Sequence, residues 1–420
     1  MSTGPGAEPF DERRLLVALF GAGTAAFAQL YAPQAVLPDA ARDLATSASA
    51  AALLVSAATL GLAVGVLPWA WVADRVGRVR AMTVAMLGAT AVGLAIPFAP
   101  SFGLIVAGRA VEGLLVAGVP AVAMAYLTEM LTETGGASVV PRAAGTYVAG
   151  TSMGGLVGRL VSGGVAELFG WRAGVGAVAV ACLVAAGAFV WLAPRDRVVR
   201  DGGQGDGKRD GQGGGEDGEL NDRASRRDAD GSRRLGRLRA LLSPRLLVLD
   251  AQGLLLMGGF VAVYNFLGFR LADEPFGLSS GVVSLVFLAY LAGTWSSART
   301  GRLVVRHGRR RVLIASTGVM AAGVAATLSG WLPVVLAGLV VLTAGFFGAH
   351  AVASGWTPVA APQARTQAAA VYNLAYYAGS SVFGWLGGIG FALAGWPGTV
   401  GMVLALVAVA AGSAAAVLRD

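Results

Sequence analysis

The sequence predicts an all-α polytopic membrane protein with twelve transmembrane helices in two pseudo-symmetric six-helix bundles. Three observations predict it. The 420-residue chain is 55% hydrophobic and only 13% charged, whereas a soluble globular chain carries roughly a quarter charged residues. The apolar residues gather in twelve runs long enough to cross a bilayer. The loops between those runs also repeat, so that the second half carries the signatures of the first 225–231 residues later.

A span needs about 20 largely apolar residues, because each helical residue rises 1.5 Å through roughly 30 Å of hydrocarbon. The runs are 15–37, 49–70, 81–99, 101–127, 143–166 and 171–193, then 246–268, 279–300, 312–330, 332–357, 367–391 and 397–417. The first follows Arg13-Arg14 and contains Ala26-Phe27-Ala28, which looks like a signal-peptide cleavage site. It is longer than a signal core and eleven more runs follow, so it reads as a retained first helix. The third and fourth are divided by Pro97 and Pro100, which mark a hairpin between spans. All the runs are solidly apolar and lack the alternation of barrel strands.

Between the sixth and seventh runs the character changes. The segment 195–239 is glycine-rich and holds 22 charged residues. It has almost nothing to bury, and charge of both signs keeps it in water. We read 194–244 as a flexible cytoplasmic linker between an N-terminal bundle, 1–193, and a C-terminal bundle, 245–420. Its basic end, Arg233 to Arg239, can lie along an anionic leaflet.

Composition excludes several other classes. A net charge of +8 on a soluble chain would suggest nucleic-acid binding. Here the arginines stand in short clusters between apolar runs, as membrane anchors do, and no nucleic-acid partner is expected. Cys182 is the single cysteine, and His307 and His350 lie far apart, so neither a disulfide, a metal nor a cofactor is expected. The chain has no Walker A loop, and Gly61-Leu62-Ala63-Val64-Gly65 lies inside an apolar span rather than in a strand–helix unit. An enzyme is not expected.

Arginine placement gives the orientation. One set of connections carries Arg75, Arg78, Arg80, Arg142, Arg302, Arg306, Arg309, Arg310, Arg311 and Arg365, while the other carries Arg42, Arg172 and Arg270. The bias places the first set, and both termini, in the cytoplasm.

The repeat is carried by two matches. Arg75, Gly77 and Arg78 meet Arg306, Gly308 and Arg309 at an offset of 231. Ala144, Tyr147, Gly154, Gly170 and Trp171 meet Ala369, Tyr372, Gly379, Gly395 and Trp396 at an offset of 225. The stretch Asp74-Arg75-Val76-Gly77-Arg78 matches the loop between helices 2 and 3 of the major facilitator superfamily, with Ala70 in place of the leading glycine. Ile105, Arg109, Glu112 and Gly113 fit that family's fourth-helix motif. Gly145 to Gly155 partly fits the glycine-rich fifth-helix motif of its proton-coupled exporters, with Thr151 where the proline is usual. Over nearly its whole length the chain resembles this superfamily, nearest its bacterial drug- and metabolite-efflux branch, including sugar-efflux-like members.

The resemblance implies a multi-pass transporter of the bacterial inner membrane, functional as a monomer, that works by alternating access on a small solute. It implies that Asp74 closes the cytoplasmic side against the eleventh helix. It also implies that Arg78 pairs with an acid at the cytoplasmic end of helix 4, where Glu129 is placed to serve. Asp74, Arg75, Gly77, Arg78, Glu129, Arg306 and Arg309 are the gating candidates. The second loop has Val305 where the first has Asp74, so its latch is expected to be weaker.

Charges inside a span are costly and normally pair or face water. Arg109 and Glu112 are three apart and share a helix face. Counted by helix rise from the outer end, they lie about 12 and about 16 Å deep. Arg159, on the antiparallel fifth span, reaches comparable depth at about 10 Å. The three can form one internal cluster, either for substrate or proton coupling or as a satisfied network holding the first bundle together. A permanent Arg109–Glu112 ion pair would block coupling at Glu112.

Further cavity candidates are Gln29, Tyr31 and Gln34 on the first span, Tyr264 and Asn265 on the seventh, His350 on the tenth, and Tyr372, Asn373 and Tyr376 on the eleventh. Arg270, Trp356 and Tyr377 lie on the same spans. Such a lining suits a solute with both apolar and hydrogen-bonding surface. The expected function is proton-coupled export of a small amphipathic drug or metabolite. The alternative is uptake or facilitated diffusion of a polar or anionic metabolite, sugars included.

Overall fold

The structure is a computed structural model and describes residues 11–133, 140–194 and 240–419. Among these residues the regular structure is helical throughout. Lipid leaves no water to satisfy backbone groups, so each apolar run satisfies them internally as a helix.

The first half opens with α1 (Glu12–Tyr31), whose start is capped by Asp11 accepting from the N–H groups of Arg13 and Arg14. A 3₁₀ turn, Ala32–Val36, leads into α2 (Leu37–Asp43). There follow α3 (Ala48–Ala51), α4 (Leu53–Val76) and α5 (Arg78–Ala95). The fourth span is α6 (Phe102–Val116), capped by Ser101, continued past Ala117 by α7 (Gly118–Glu133). The half closes with α8 (Val140–Phe169) and α9 (Trp171–Leu192).

The second half starts with α10 (Pro244–Ala272), where Ser243 caps and Pro244 occupies the first turn. The short α11 (Ser280–Ser284) and a 3₁₀ turn lead into α12 (Tyr290–His307). After α13 (Arg309–Ala326) and α14 (Leu332–Ala360) comes α15 (Arg365–Val417). That last element is two spans joined at a kink, where Ala394 and Gly395 leave helical geometry. Each of the twelve predicted spans thus coincides with helix among the described residues. Most of the expected linker, 195–239, lies outside the described residues, as does the side chain of Arg142.

The repeat has a packing reason. Gly154 on α8 presses on the Thr24 carbonyl of α1, and its repeat mate Gly379 on α15 presses on the Leu254 carbonyl of α10. A Cβ at either glycine would overlap backbone. Small residues at these points let the helices close up where no hydrophobic force drives them together. The repeated loops share a turn as well: Gly77 and Gly308 have φ of 93° and 84°, the left-handed region that glycine adopts without strain.

Within the first half α1 packs on α8 and α9, and within the second α10 packs on α15. Contacts between the two halves tie one end of the seam. There Ser280 donates to Asp39, the Gly281 N–H donates to Glu167 Oε2 at 2.9 Å, Pro38 packs on Gly268, and Ser49 packs on Gly388. This end is opposite the arginine-rich loops that follow α4 and α12.

Candidate functional site

At the centre of the seam a line of buried polar groups runs from one half to the other. Arg159 Nε donates to Gln34 Oε1 at 2.6 Å, Gln34 Nε2 donates to Asn265 Oδ1 at 2.6 Å, and Asn265 Nδ2 donates to the Gly384 carbonyl at 3.0 Å. Gln34 and Asn265 are 231 residues apart, the offset of the repeated loops. Arg159 and Gly384 are 225 apart, the offset of the second match. Repeat mates that touch each other lie on the pseudo-two-fold axis relating the halves, as in any isologous contact. Ser381 extends the tie by donating to the Ser56 carbonyl at 2.7 Å.

Arg109 and Glu112 are both buried and form an ion pair. The guanidinium also donates to the carbonyls of Leu54 at 2.7 Å, Gln29 at 3.2 Å and Leu30. It therefore pins α6 to α1 and α4 with each guanidinium nitrogen hydrogen-bonded, the condition for a buried charge to be tolerated. Gln29 belongs to this network, donating to the Ala89 carbonyl at 2.6 Å. Arg159 makes no ion pair with Glu112. The three buried charges therefore fall into two groups rather than the one expected cluster, because Gln34 and a set of rings draw Arg159 to the seam.

Those rings are Tyr31, Phe287 and Tyr290, whose centroids lie 4.4, 4.8 and 4.8 Å from the guanidinium carbon. Tyr264 stacks on Phe287 and shares a 2.8 Å hydrogen bond with Thr343. Below them His350 Nδ1 meets the Tyr372 hydroxyl at 2.9 Å, with Tyr376 4.8 Å away ring to ring and Tyr377 edge-on to Tyr376. Asn373, one step round α15, is exposed. Trp356 is fully buried away from this group, under Arg245 and Arg309. Arg270 donates to the Leu328 and Ser329 carbonyls. Phe287 and Tyr290 were missed in the sequence. Their signal was available, since three-residue spacing puts both on one helical face, but aromatic residues in an apolar run read first as packing.

In the first loop Arg78 reaches Glu129 through two nitrogens, at 3.2 and 2.7 Å, and Asp74 through a third contact at 2.6 Å. Asp74 is 66% exposed. Arg75 lies over the Trp71 ring at 3.2 Å. In the second loop Arg306 is exposed, and Val305 stands in solvent where Asp74 would be.

The sequence profile of the Major Facilitator Superfamily matches residues 18–273. The chain is 33% identical to the uncharacterized MFS-type transporter YybF of Bacillus subtilis, over 90% of this chain and 86% of that one. The chain belongs to the major facilitator superfamily. It is also 37% identical to the inner membrane transport protein YnfM of Escherichia coli, over 90% of this chain and 84% of that one. A shorter stretch, 32% of this chain and 26% of the other, is 33% identical to the puromycin resistance protein pur8 of Streptomyces alboniger. Among solved structures, the fold matches a bacterial homologue of the human lysosomal transporter Spinster, inward-facing and unoccupied, with a TM-score of 0.75 at 16% identity and 97% coverage of each chain. It matches the nucleoside transporter NupG with a TM-score of 0.74 at 11% identity, covering 96% of this chain and 100% of that one. As a member of this superfamily the chain is a multi-pass membrane transporter and not an enzyme.

Proposed function

We propose that the chain exports a small amphipathic drug or metabolite across the bacterial inner membrane in exchange for protons, by rocking its two halves about the Gln34–Asn265 contact. The observation that carries the alternating-access cycle is the line of polar contacts between the two halves, tied again at one end of the seam. With the arginine-rich loops and both termini in the cytoplasm, the end tied by the Ser280–Asp39 and Gly281–Glu167 contacts is external. Limits of 1–193 and 245–420 for the two bundles, with 194–244 as linker, follow from the repeat. Both halves of the seam come from one chain, which supports function as a monomer.

Proton coupling is assigned to Glu112, the carboxylate that is fully buried among the described residues. In this conformation it is paired to Arg109, so loading a proton has to accompany separation of that pair. Burial disfavours a charged carboxylate and a neighbouring arginine favours it, so a change of access can tip the balance. In the gate, Arg78 holds Asp74 and Glu129 together in this conformation, and Asp74 is free to engage the second half on closure.

Uptake or facilitated diffusion of a polar or anionic metabolite is the second reading, its anionic form favoured by Arg159, which has no carboxylate beside it among the described residues. Everted vesicles with an imposed pH gradient, screened against a mixed compound library, separate the two. Gradient-driven accumulation supports export. Accumulation that ignores the gradient would sink antiport and leave the second reading.

A further inference from the structure

Arg159 is a buried cation that has no carboxylate partner among the described residues. Among the described residues its polar partners are the Gln34 amide oxygen and the Gly155 carbonyl, and the rest of its surroundings are the ring faces of Tyr31, Phe287 and Tyr290. Carbonyls and ring faces disperse a positive charge without cancelling it. Arg109, by contrast, has its own carboxylate in Glu112. The seam therefore holds one uncompensated positive charge at membrane depth, an expensive arrangement unless something supplies the counter-charge.

Two hydroxyls nearby are also incomplete. Among the described residues, Tyr31 Oη and Ser380 Oγ are buried and find no partner beyond each other, and Tyr31 lies close enough to Arg159 to feel its charge. Buried hydroxyls are normally satisfied. A cation without an anion beside two hydroxyls that have at most each other as partner is a set of groups that one carboxylate completes, because each carboxylate oxygen accepts more than one hydrogen bond. The flanking ring faces would pack on a flat apolar body. A single net charge matches a monoanion and disfavours a dianion.

We propose that Arg159, with Tyr31 and Ser380, is the recognition site for a monoanionic carboxylate bearing an aromatic body, and that Phe287 and Tyr290 hold that body. The proposal rests on the reading of the seam as the transport site, and is independent of transport direction and of proton coupling.

The test uses the full chain in lipid nanodiscs, with naphthoate, the neutral isostere naphthamide, the dianion terephthalate and chloride as probes. Naphthoate should bind at least about ten-fold more tightly than naphthamide, the scale of a charge-assisted hydrogen bond, and more tightly than terephthalate. Arg159→Gln should abolish the preference for acid over amide, while Arg159→Lys should keep part of it. Ser380→Ala, a small change unlike the loss of a buried arginine, should weaken naphthoate several-fold and leave naphthamide unchanged. Equal binding of acid and amide, binding of neither, or an equal response to chloride alone would each overturn the site. Flux of other solutes in proteoliposomes without a carboxylate preference would overturn it and leave the transport reading standing. Carboxylate binding without flux of any solute would do the reverse.

Discussion

Gln34 and Asn265 hydrogen-bond to each other across the seam at 2.6 Å, and each is the other's mate in the internal repeat. The contact therefore marks the pseudo-symmetry axis in chemical terms. Two amides suit the position, since each can donate to one neighbour and accept from another. Arg159 and the Gly384 carbonyl take the outer bonds of the line.

Asn265→Ala leaves Gln34 Nε2 without its acceptor and removes the side-chain bond to the Gly384 carbonyl. Leaving buried groups unpaired costs about 1–3 kcal/mol. The population tied at the external end should fall by about ten-fold or more relative to the untied one. Spin labels on the external ends of the two halves would read this as longer distances. An unchanged distance distribution would show that the tie does not bias the cycle.

Asp74→Asn and Glu129→Gln should separate stability from transport. Asp74 and Glu129 are 66% and 49% exposed, so each pair with Arg78 should contribute below about 1 kcal/mol to folding. Transport should nevertheless fall several-fold while solute affinity stays within about two-fold, because a gate biases a conformational equilibrium and does not touch solute. Parallel flux and binding measurements on each variant decide it. A matched loss of affinity would place Asp74 at the solute instead.

Glu112→Gln removes the counter-charge of a fully buried arginine. Breaking a buried pair from one side costs roughly 3–5 kcal/mol, so the midpoint of thermal unfolding should drop by several degrees. The surviving transporter should lose its dependence on the proton gradient while still allowing downhill flux. A variant that keeps proton-driven accumulation would move the coupling carboxylate elsewhere.

Gly154→Val and Gly379→Val should each reduce folded protein sharply, since the new side chain meets the Thr24 or the Leu254 backbone. Overpacking of this kind costs about 1–3 kcal/mol, more where the obstacle is backbone. Gly318→Ala, where an added Cβ has nothing within 4 Å, should be silent. Yield and unfolding temperature in detergent would distinguish them. Equal tolerance at all three positions would refute the close-packing account of the repeat.

The sequence by itself determined the fold class, the order of the spans and the matched loops. These are set by local rules: an apolar run in lipid has to become a helix, and Gly77 and Gly308 admit the same tight turn. That Arg109 and Glu112 share a helix face was also legible, because three-residue spacing on one helix sets it. Partners on different helices were not legible. Nothing in the spacing of Arg159 says that it turns toward Gln34, Phe287 and Tyr290 and away from Glu112. Nor does spacing say that Gln34 and Asn265, 231 residues apart, touch. Local sequence fixes which face of a helix a residue occupies, whereas the neighbour of that face depends on how the helices rotate and tilt as they pack. Only the tertiary structure decided that, and with it which contacts tie the two halves and which buried charge lacks a counter-ion among the described residues.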